Sequence, residues 1–273
     1  MRILILANKD LASNLAINLL LNAAPQHTYS ILLSSKVGST SDLPAQLNEL
    51  AFFEQHLFND IIFQLANKLD KKGSHCLDSF DGLKQKGIAV ANISHINQAA
   101  GVTAVAAFKP NLIVSIRFGQ ILQQPIIDIP EFGVINLHSG LLPNYRGVMA
   151  TFWAMLNQET EYGTSLHYID SNKIDAGNII STTKHPLDCK KSYLYNVLSL
   201  YSAGAKQIVD SIKEIEQGLD LKSKPMDINR GNYFSHPDDK ALNRFNEQGN
   251  RLLDYSEIVE FAKWYYQTPF DLT

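Results

Sequence analysis

Residues 134–147 read Val-Ile-Asn-Leu-His-Ser-Gly-Leu-Leu-Pro-Asn-Tyr-Arg-Gly, an apolar run followed by turn residues. The apolar run, residues 134–137, predicts a short buried strand. Because side chains alternate along a strand, we expect Asn136 and His138 on the same side of it, at its carboxyl end. Ligands of open α/β sheets usually bind beyond the carboxyl ends of the strands. The stretch therefore predicts both a strand and a ligand site.

Strand and helix patterns alternate on both sides of this stretch. Nearly continuous apolar runs predict strands at residues 2–7, 30–34, 88–93, 112–116, 134–137, 165–169 and 178–181. Helical spacing predicts helices at 15–21, 43–69, 99–108, 149–156 and 193–215. The helix at 43–69 is expected to bury Leu47, Leu50, Phe53, Leu57, Ile61 and Leu65. This alternation predicts an α/β fold, a Rossmann-like, mostly parallel twisted sheet flanked by helices.

The chain changes in character after Gly218, where short polar segments replace the long apolar runs. We therefore expect a main domain over residues 1–217 and a small C-terminal extension over residues 218–273. An amphipathic stretch at 256–266 predicts a docking helix capped by Ser256. The extension is expected either to dock on the main domain or to lie at the interface of a homodimer.

Composition limits the classes of partner. The formal net charge is −3 and no long basic block is present, which argues against nucleic acid as a partner. Two cysteines exclude a multi-bridge disulfide framework and a Cys-rich zinc site, and the histidines show no ligand spacing, so we expect no metal. The apolar run at the N-terminus is too short for a signal peptide or a membrane span. We expect a cytoplasmic protein.

Six sequence features occur together: Asn136, His138, the Leu-Pro-Asn-Tyr-Arg-Gly loop at 142–147, Trp153, Gly-Thr-Ser-Leu-His at 163–167, and Asp-Ala-Gly at 175–177. In this combination the chain resembles the 10-formyltetrahydrofolate-dependent formyltransferases. That family includes glycinamide ribonucleotide, methionyl-tRNA and nucleotide-sugar formyltransferases. The resemblance covers roughly the first two hundred residues. It implies 10-formyltetrahydrofolate as the formyl donor and Asn136, His138 and Asp175 as catalytic residues.

These three residue types suit the chemistry of formyl transfer. The reaction passes through a tetrahedral oxyanion while the incoming amine loses a proton. The Asn136 amide can donate a hydrogen bond to the oxyanion, and His138 can carry a proton near neutral pH. Asp175 can orient and stabilise the imidazolium. An isolated Asn or His at a strand end is more often a turn or surface residue, but the matching loop and the distant Asp favour catalysis.

Other positions are expected to bind the donor. Phe118, Gly119 and Ile121 follow the buried strand at 112–116 and match the family's pterin-binding segment in position. Exposed backbone at a strand end, with apolar side chains against a flat ring, suits a heterocycle. Leu142 and Ile174 are expected to complete the cofactor slot. The alternative for this segment is an ordinary exit from a strand into a loop.

Lys9, Ser13 and Arg146 are candidate substrate contacts. Lys9 and Ser13 follow the first strand, where purine-pathway relatives carry a glycine-rich phosphate loop, and helix N-termini attract anions. A helix cap and a solvated lysine explain these two residues equally well. Arg146 suits a phosphate or carboxylate, with a structural salt bridge as the alternative. For His167 the family's second histidine and a structural residue are equal alternatives, and Trp153 is expected to pack in the core.

The resemblance identifies formyl transfer better than it identifies the acceptor. Methionyl-tRNA formyltransferases usually append a basic domain, and purine enzymes usually carry the phosphate loop that is missing here. The leading hypothesis is an N-formyltransferase acting on an amino sugar carried on a nucleotide. The alternatives are methionyl-tRNA, another small amine, and hydrolysis of formyltetrahydrofolate. Hydrolases of this type usually begin with a regulatory domain, whereas Met1 leads directly into the first predicted strand.

Overall fold

The computed structural model describes residues 1–34, 43–68 and 76–266. The strands are β1 (Arg2–Asn8), β2 (Thr28–Ser34), β3 (Ala89–Asn92), β4 (Leu112–Ile116), β5 (Val134–His138), β6 (Tyr145–Gly147), β7 (Glu161–Tyr168), β8 (Ile179–Pro186) and β9 (Asn232–Phe234). Seven of them form a sheet in the order β3-β2-β1-β4-β5-β7-β8. β1 to β5 pair in parallel, whereas β7 and β8 are antiparallel. The predicted mostly parallel α/β fold is confirmed.

The helices are α1 (Leu11–Ala23), α2 (Ala45–Ala51), α3 (Phe63–Ala66), α4 (Phe80–Gln85), α5 (Ala99–Phe108), α6 (Gln124–Ile127), α7 (Ala150–Leu156), α8 (Tyr193–Glu216), α9 (Asp239–Glu247) and α10 (Tyr255–Lys263). They cover both faces of the sheet. Leu4 and Leu6 of β1 pack in a cluster with residues of α5 and α6. Ile3 and Ile5 pack on the opposite face, in a larger cluster with residues of α1, α8 and the C-terminal helices. The alternation of strand side chains thus divides the core into two layers. None of the helices in the described ranges is long and apolar enough to cross a membrane.

The helix expected at 43–69 differs from the prediction in its middle. Phe52–Ile62 is a π-helical segment that joins α2 to α3, and residue 69 lies outside the described residues. Leu47 and Leu50 are buried as predicted, but the buried positions then move to Glu54, Phe58 and Phe63, while Ile61 and Leu65 are exposed. Hydrogen bonds from i to i+5 widen each turn, so the buried residues recur at larger spacing than in an α-helix. This shift carries a carboxylate, that of Glu54, into the interior.

Several element boundaries also differ from the predictions. α1 begins at Leu11 because the Asp10 side chain caps it, accepting a hydrogen bond from the Ser13 N–H. Likewise Asp254, rather than Ser256, caps α10. β7 and β8 are longer than predicted because polar residues make up much of both strands, which weakens the apolar signal. The small parallel sheet of β6 and β9 was not predicted.

The C-terminal extension packs on the rest of the chain. The Phe245 ring of α9 stacks on Phe152 of α7, with 4.5 Å between the ring centres. Phe261 and Tyr265 are buried in the larger cluster, and the Tyr265 hydroxyl donates a hydrogen bond to Asn14 Oδ1 over 2.8 Å. Residues after 218 therefore share one hydrophobic core with α1 and α7. A place at a dimer interface stays a prediction.

Replacing Phe245 by alanine should test this shared core. We expect Phe245→Ala to lower the free energy of unfolding by about 3 to 5 kcal/mol, because it leaves a cavity against Phe152. Val259 of α10 is 55% exposed, and Val259→Ala should change stability by no more than about 0.5 kcal/mol. Urea denaturation of the two variants gives both values. A loss below about 1 kcal/mol for Phe245→Ala would contradict the shared core.

Candidate active site

A cleft of about 1020 Å³ opens at the carboxyl ends of the central strands. Its lining includes Arg117 after β4, Asn136 and His138 of β5, and the loop residues Ile174 and Asp175. Sites for one drug-sized ligand usually measure about 300 to 1,000 Å³. The volume is therefore sufficient for two small ligands side by side.

The structure brings together the three residues that the sequence analysis assigns to catalysis. His138 Nδ1 lies 3.5 Å from Asp175 Oδ2. The Asn136 amide nitrogen lies 3.0 Å from His167 Nε2. His167 Nε2 in turn lies 3.4 Å from Asp175 Oδ1. β5 supplies Asn136 and His138, while the neighbouring β7 supplies His167 directly opposite Asn136. One carboxylate therefore links two imidazole rings and, through one of them, the amide.

The Asp175 carboxylate is fixed by its surroundings. It is almost fully buried and accepts a hydrogen bond of 2.8 Å from the Gly147 N–H at Oδ2. Burial alone would raise the pKa of Asp175, but the charges of His138 and His167, with hydrogen bonds from His167 and the Gly147 amide, hold it well below its usual range. Asp175 is therefore an anion throughout the neutral pH range.

The His138 ring is placed so that it can hold a proton. Its Nε2 lies 2.6 Å from the Tyr145 carbonyl oxygen, while Nδ1 faces Asp175. A carbonyl and a carboxylate are both acceptors, so a doubly protonated ring donates at both nitrogens. This is the arrangement expected of an imidazolium stabilised by Asp175.

His167 contacts other residues of the site, so it is more than a structural residue of β7. Its Nδ1 donates to the Tyr168 carbonyl oxygen over 2.8 Å, and its Nε2 lies between the Asn136 amide nitrogen, at 3.0 Å, and Asp175 Oδ1, at 3.4 Å. The ring is 2% exposed and lines the cleft. His167 thus orients the amide group that faces the cleft. The signal for this position was present in the Gly-Thr-Ser-Leu-His motif at 163–167.

Four of the five residues predicted to bind the donor line the cleft. They are Phe118, Gly119, Ile121 and Ile174, and the Ile121 and Ile174 side chains are 52% and 38% exposed. Phe118 packs against the cluster on the α5 and α6 face. Leu142 is 7% exposed and is not among the residues that line the cleft, and its N–H donates to Ser165 Oγ. Leu142 is therefore buried beside the cleft, and its hydrogen bond to Ser165 anchors the start of the motif loop.

The structure does not place the predicted substrate contacts in the cleft. Ser13 is buried and its N–H donates to Asp10, so the start of α1 is already capped by an anion. Lys9 lies outside the cleft lining. Arg146 donates to the carbonyl oxygens of Ile174 and Asp175, over 2.9 and 3.0 Å. Its guanidinium holds the loop that carries Asp175, by contacts to carbonyl groups rather than by the salt bridge considered as the alternative.

A second group of charges, not predicted from the sequence, borders the same cleft through Arg117 and Glu54. Arg117 directly follows β4 and has a φ of 55°, which is unusual for a residue with a side chain. Its Nε donates to Asp10 Oδ2 over 3.0 Å, and its Nη2 lies 3.4 Å from Glu54 Oε2. Burial raises the pKa of Glu54 to about 7, because desolvation together with the charge of Asp10 outweighs the attraction of Arg117. Two carboxylates therefore share one guanidinium.

Among the described residues, no group of three or more His, Cys, Asp and Glu side chains has an arrangement that could hold a metal ion.

The raised pKa of Glu54 predicts a dependence of stability on pH. A carboxyl group whose pKa is higher in the folded state than in the unfolded state makes the protein less stable as pH rises between the two values. Glu54→Gln removes this ionisation. We expect it to raise the free energy of unfolding near pH 8 by on the order of 1 to 3 kcal/mol, with little change near pH 5. Urea denaturation at both pH values measures the effect.

The exposed Glu49 of the neighbouring α2 provides the matched control. Glu49→Gln should show no such gain at either pH. Equal or lower stability of Glu54→Gln near pH 8 would be inconsistent with a destabilising buried charge at position 54.

Comparisons with known proteins give a family match. Residues 37–197, more than half of the 273, match the family model described as formyl transferase. A methionyl-tRNA formyltransferase of Geobacillus sp. (strain WCH70) is 35% identical over 137 residues, which make up 50% of this chain and 42% of that relative. The match thus spans less than half the length of that relative.

Two solved structures share the fold. A sugar N-formyltransferase from Shewanella sp. FDAARGOS_354 is 18% identical with a TM-score of 0.55, and the match covers 89% of this chain and 79% of that one. An N-formyltransferase from Helicobacter canadensis, solved with folinic acid and dTDP-3-aminofucose, is 18% identical with a TM-score of 0.55, and covers 86% and 71%. The family match and the shared fold lead to one conclusion: the chain belongs to the formyl transferase family.

Proposed function

We propose that this chain transfers a formyl group from 10-formyltetrahydrofolate to the amine of a small acceptor, an amino sugar carried on a nucleotide. The observation that carries the proposal is the convergence of Asn136, His138 and Asp175 in a cleft beside the loop after β4. The Geobacillus sequence relative is a methionyl-tRNA formyltransferase, which makes tRNA the second candidate acceptor.

The cleft fits the folate donor in chemical terms. A pterin ring is flat, with hydrogen-bonding groups at its edge and apolar faces. Phe118 and Gly119 line the cleft beside the partly exposed side chains of Ile121 and Ile174. Backbone groups suit the edge of such a ring, and isoleucine side chains suit its faces. When bound, the donor would supply the formyl carbon that the amine attacks.

Each member of the trio has a role that follows from its surroundings. Asn136 donates from its amide to the oxyanion that develops on the formyl oxygen. His138 holds a proton on Nε2, which would turn from the Tyr145 carbonyl oxygen toward the bound donor and deliver the proton to the departing nitrogen. Asp175, kept anionic by its neighbours, stabilises the imidazolium. His167, whose Nε2 lies 3.0 Å from the Asn136 amide nitrogen, orients the amide group.

The acceptor is proposed from the cleft and its surroundings. The cleft of about 1020 Å³ has room for a second ligand beside the donor. Tyr233 of β9 is 54% exposed and lines it, which provides an aromatic surface for a base or a sugar ring. The net charge of −3 favours a small acceptor over tRNA. The Helicobacter relative was solved with a nucleotide-linked amino sugar.

Alanine substitutions test the catalytic assignment. We expect Asn136→Ala and His138→Ala each to lower kcat for formyl transfer by at least about a hundredfold, because each removes a group that acts in the transition state. Asn92→Ala and His185→Ala, which change the same residue types outside the cleft, should keep normal rates. Unfolding curves should show that all four variants fold. Near-normal kcat in both cleft variants would refute the assignment.

A panel of acceptors tests the reaction and the substrate class. The wild-type protein and 10-formyltetrahydrofolate are mixed with nucleotide-linked amino sugars, free amino acids or initiator methionyl-tRNA, and the formylated product is measured by mass spectrometry. We expect formylation of an amino sugar with release of one tetrahydrofolate per product. Formylated tRNA would favour the second candidate. Release of formate without an acceptor would indicate a hydrolase. Folate binding without turnover would contradict the proposal that the protein is an enzyme.

A further inference from the structure

The charged group of Arg117, Asp10 and Glu54 lies across the sheet from the expected donor loop. Phe118 of that loop packs with the cluster on the α5 and α6 face. Glu54 belongs to the π-helical segment, whose Phe58 packs in the larger cluster on the opposite face. Both sides line the same cleft, and Asn136 and His138 at the end of β5 line it too. Glu54 therefore borders the cleft from the face of the sheet opposite to that of the donor loop, which leaves the space beside Glu54 for an acceptor.

Arg117 also connects this group to the trio through the backbone. Ile116 at the end of β4 pairs with Leu137 of β5, so Arg117 and His138 are the next residues on two adjacent strands. Neighbouring strands are about 4.8 Å apart. The positive φ of Arg117 turns the chain where the guanidinium meets Asp10 and Glu54. The backbone that carries Arg117 is thus a direct neighbour of the backbone that carries His138.

The balance of charge in the cluster determines which ligand it suits. Asp10 is fully buried and accepts three hydrogen bonds, from Arg117 Nε, from Asn8 Nδ2 and from the Ser13 N–H. That close pair already neutralises the guanidinium. Glu54 contacts Arg117 only at 3.4 to 3.5 Å, and it borders the cleft. With both carboxylates ionised the cluster carries one excess negative charge, which suits a cation and disfavours a phosphate or a carboxylate.

We propose that Glu54 is the residue that receives the acceptor, binding its ammonium group and taking the proton that the amine must lose before it attacks the formyl carbon. This inference rests on the proposed function and deepens it, because it assigns the cationic form of the amine as the species that the cleft binds. Arg117 and Asp10 are positioning residues that hold Glu54 at the edge of the cleft.

The proton balance of this step is complete. An ammonium and the Glu54 carboxylate become a neutral amine and a carboxylic acid. The amine nitrogen then uses its free electron pair to form the bond to the formyl carbon, while the bond from that carbon to the folate nitrogen breaks. His138 supplies a proton to the departing nitrogen and regains one from the product nitrogen. Glu54 later releases its proton to solvent, so one proton leaves for each ammonium that is formylated.

The surroundings of Glu54 fit a group that exchanges a proton near neutral pH. The charged and titratable groups that face it are Arg117 and Asp10, with Tyr193 and Tyr201 of α8. Burial raises the pKa of both tyrosines, so they remain neutral. Burial likewise raises the pKa of Glu54 to about 7, within the range useful for general base catalysis. The π-helical segment that carries it is a geometry found frequently at functional sites.

A pH profile of Glu54→Gln tests the role in catalysis. With the amine that the wild-type protein formylates, we expect kcat/KM of Glu54→Gln near pH 7 to fall by at least about tenfold, and to recover as pH rises toward the pKa of the acceptor ammonium. The KM for 10-formyltetrahydrofolate should not change. Glu54→Asp, which keeps the carboxylate, should retain part of the lost rate. Glu49→Gln, the same change on the exposed surface of α2, should match wild type.

A binding experiment tests the same proposal without turnover. Calorimetry compares dTDP-3-aminofucose with dTDP-fucose, which carries a hydroxyl in place of the amine. Wild type and Glu49→Gln should bind the amino sugar at least about tenfold more tightly near pH 7, and Glu54→Gln should lose this preference. The proposal would be overturned if wild type bound the two sugars equally, or if it bound neither of them measurably. It would also be overturned by a pH profile of Glu54→Gln identical to that of wild type. Failure of wild type to formylate any amine would instead overturn the proposed function.

Discussion

The position of the Asp175 carboxylate is the constraint on which the candidate site depends. It faces His138 with one oxygen and His167 with the other, and the Gly147 N–H holds it from the motif loop. Gly147 in turn lies in β6, which pairs with β9 of the C-terminal extension. A Cβ atom on Gly147 would be 2.1 Å from the Phe234 carbonyl oxygen, and φ there is 93°, so this position requires glycine. The C-terminal extension thus helps to hold the Gly147 N–H in place against Asp175.

Several features of the cleft lower the stability of the folded protein. Arg117, Met149 and Asp175 all line the cleft, and all three have left-handed backbone conformations that residues with side chains rarely adopt. Glu54 adds a carboxylate that is buried beside another carboxylate. Each of these features costs free energy in the folded state and persists because the surrounding core is well packed. Their common location at one cleft supports the proposal that this cleft is the active site.

The sequence was informative wherever a strand sets the geometry. Alternation along residues 134–138 places Asn136 and His138 together, and continuous apolar runs identify the parallel strands. The resemblance to formyltransferases added Asp175, which no periodicity connects to β5.

Interactions that depend on tertiary contact were not predictable in this way. Glu54 is buried because a π-helical segment shifts the helical face, and α-helical spacing cannot show this. β6 and β9 are three-residue strands that pair across 87 positions of sequence, from Tyr145 to Asn232, and carry no pattern of their own. Lys9 and Ser13 were candidates because of their place after β1, but Asp10 caps the helix and occupies the site that an anion would need.

The most direct measurement is kcat for formyl transfer by Asp175→Asn, with the acceptor that the wild-type protein uses. The substitution keeps the size of the side chain and removes the charge that links His138 to His167. A decrease of at least about a hundredfold, with unchanged affinity for the folate donor and a folded protein, is the result expected if this carboxylate organises the site. A kcat within about twofold of wild type would contradict the central role of Asp175.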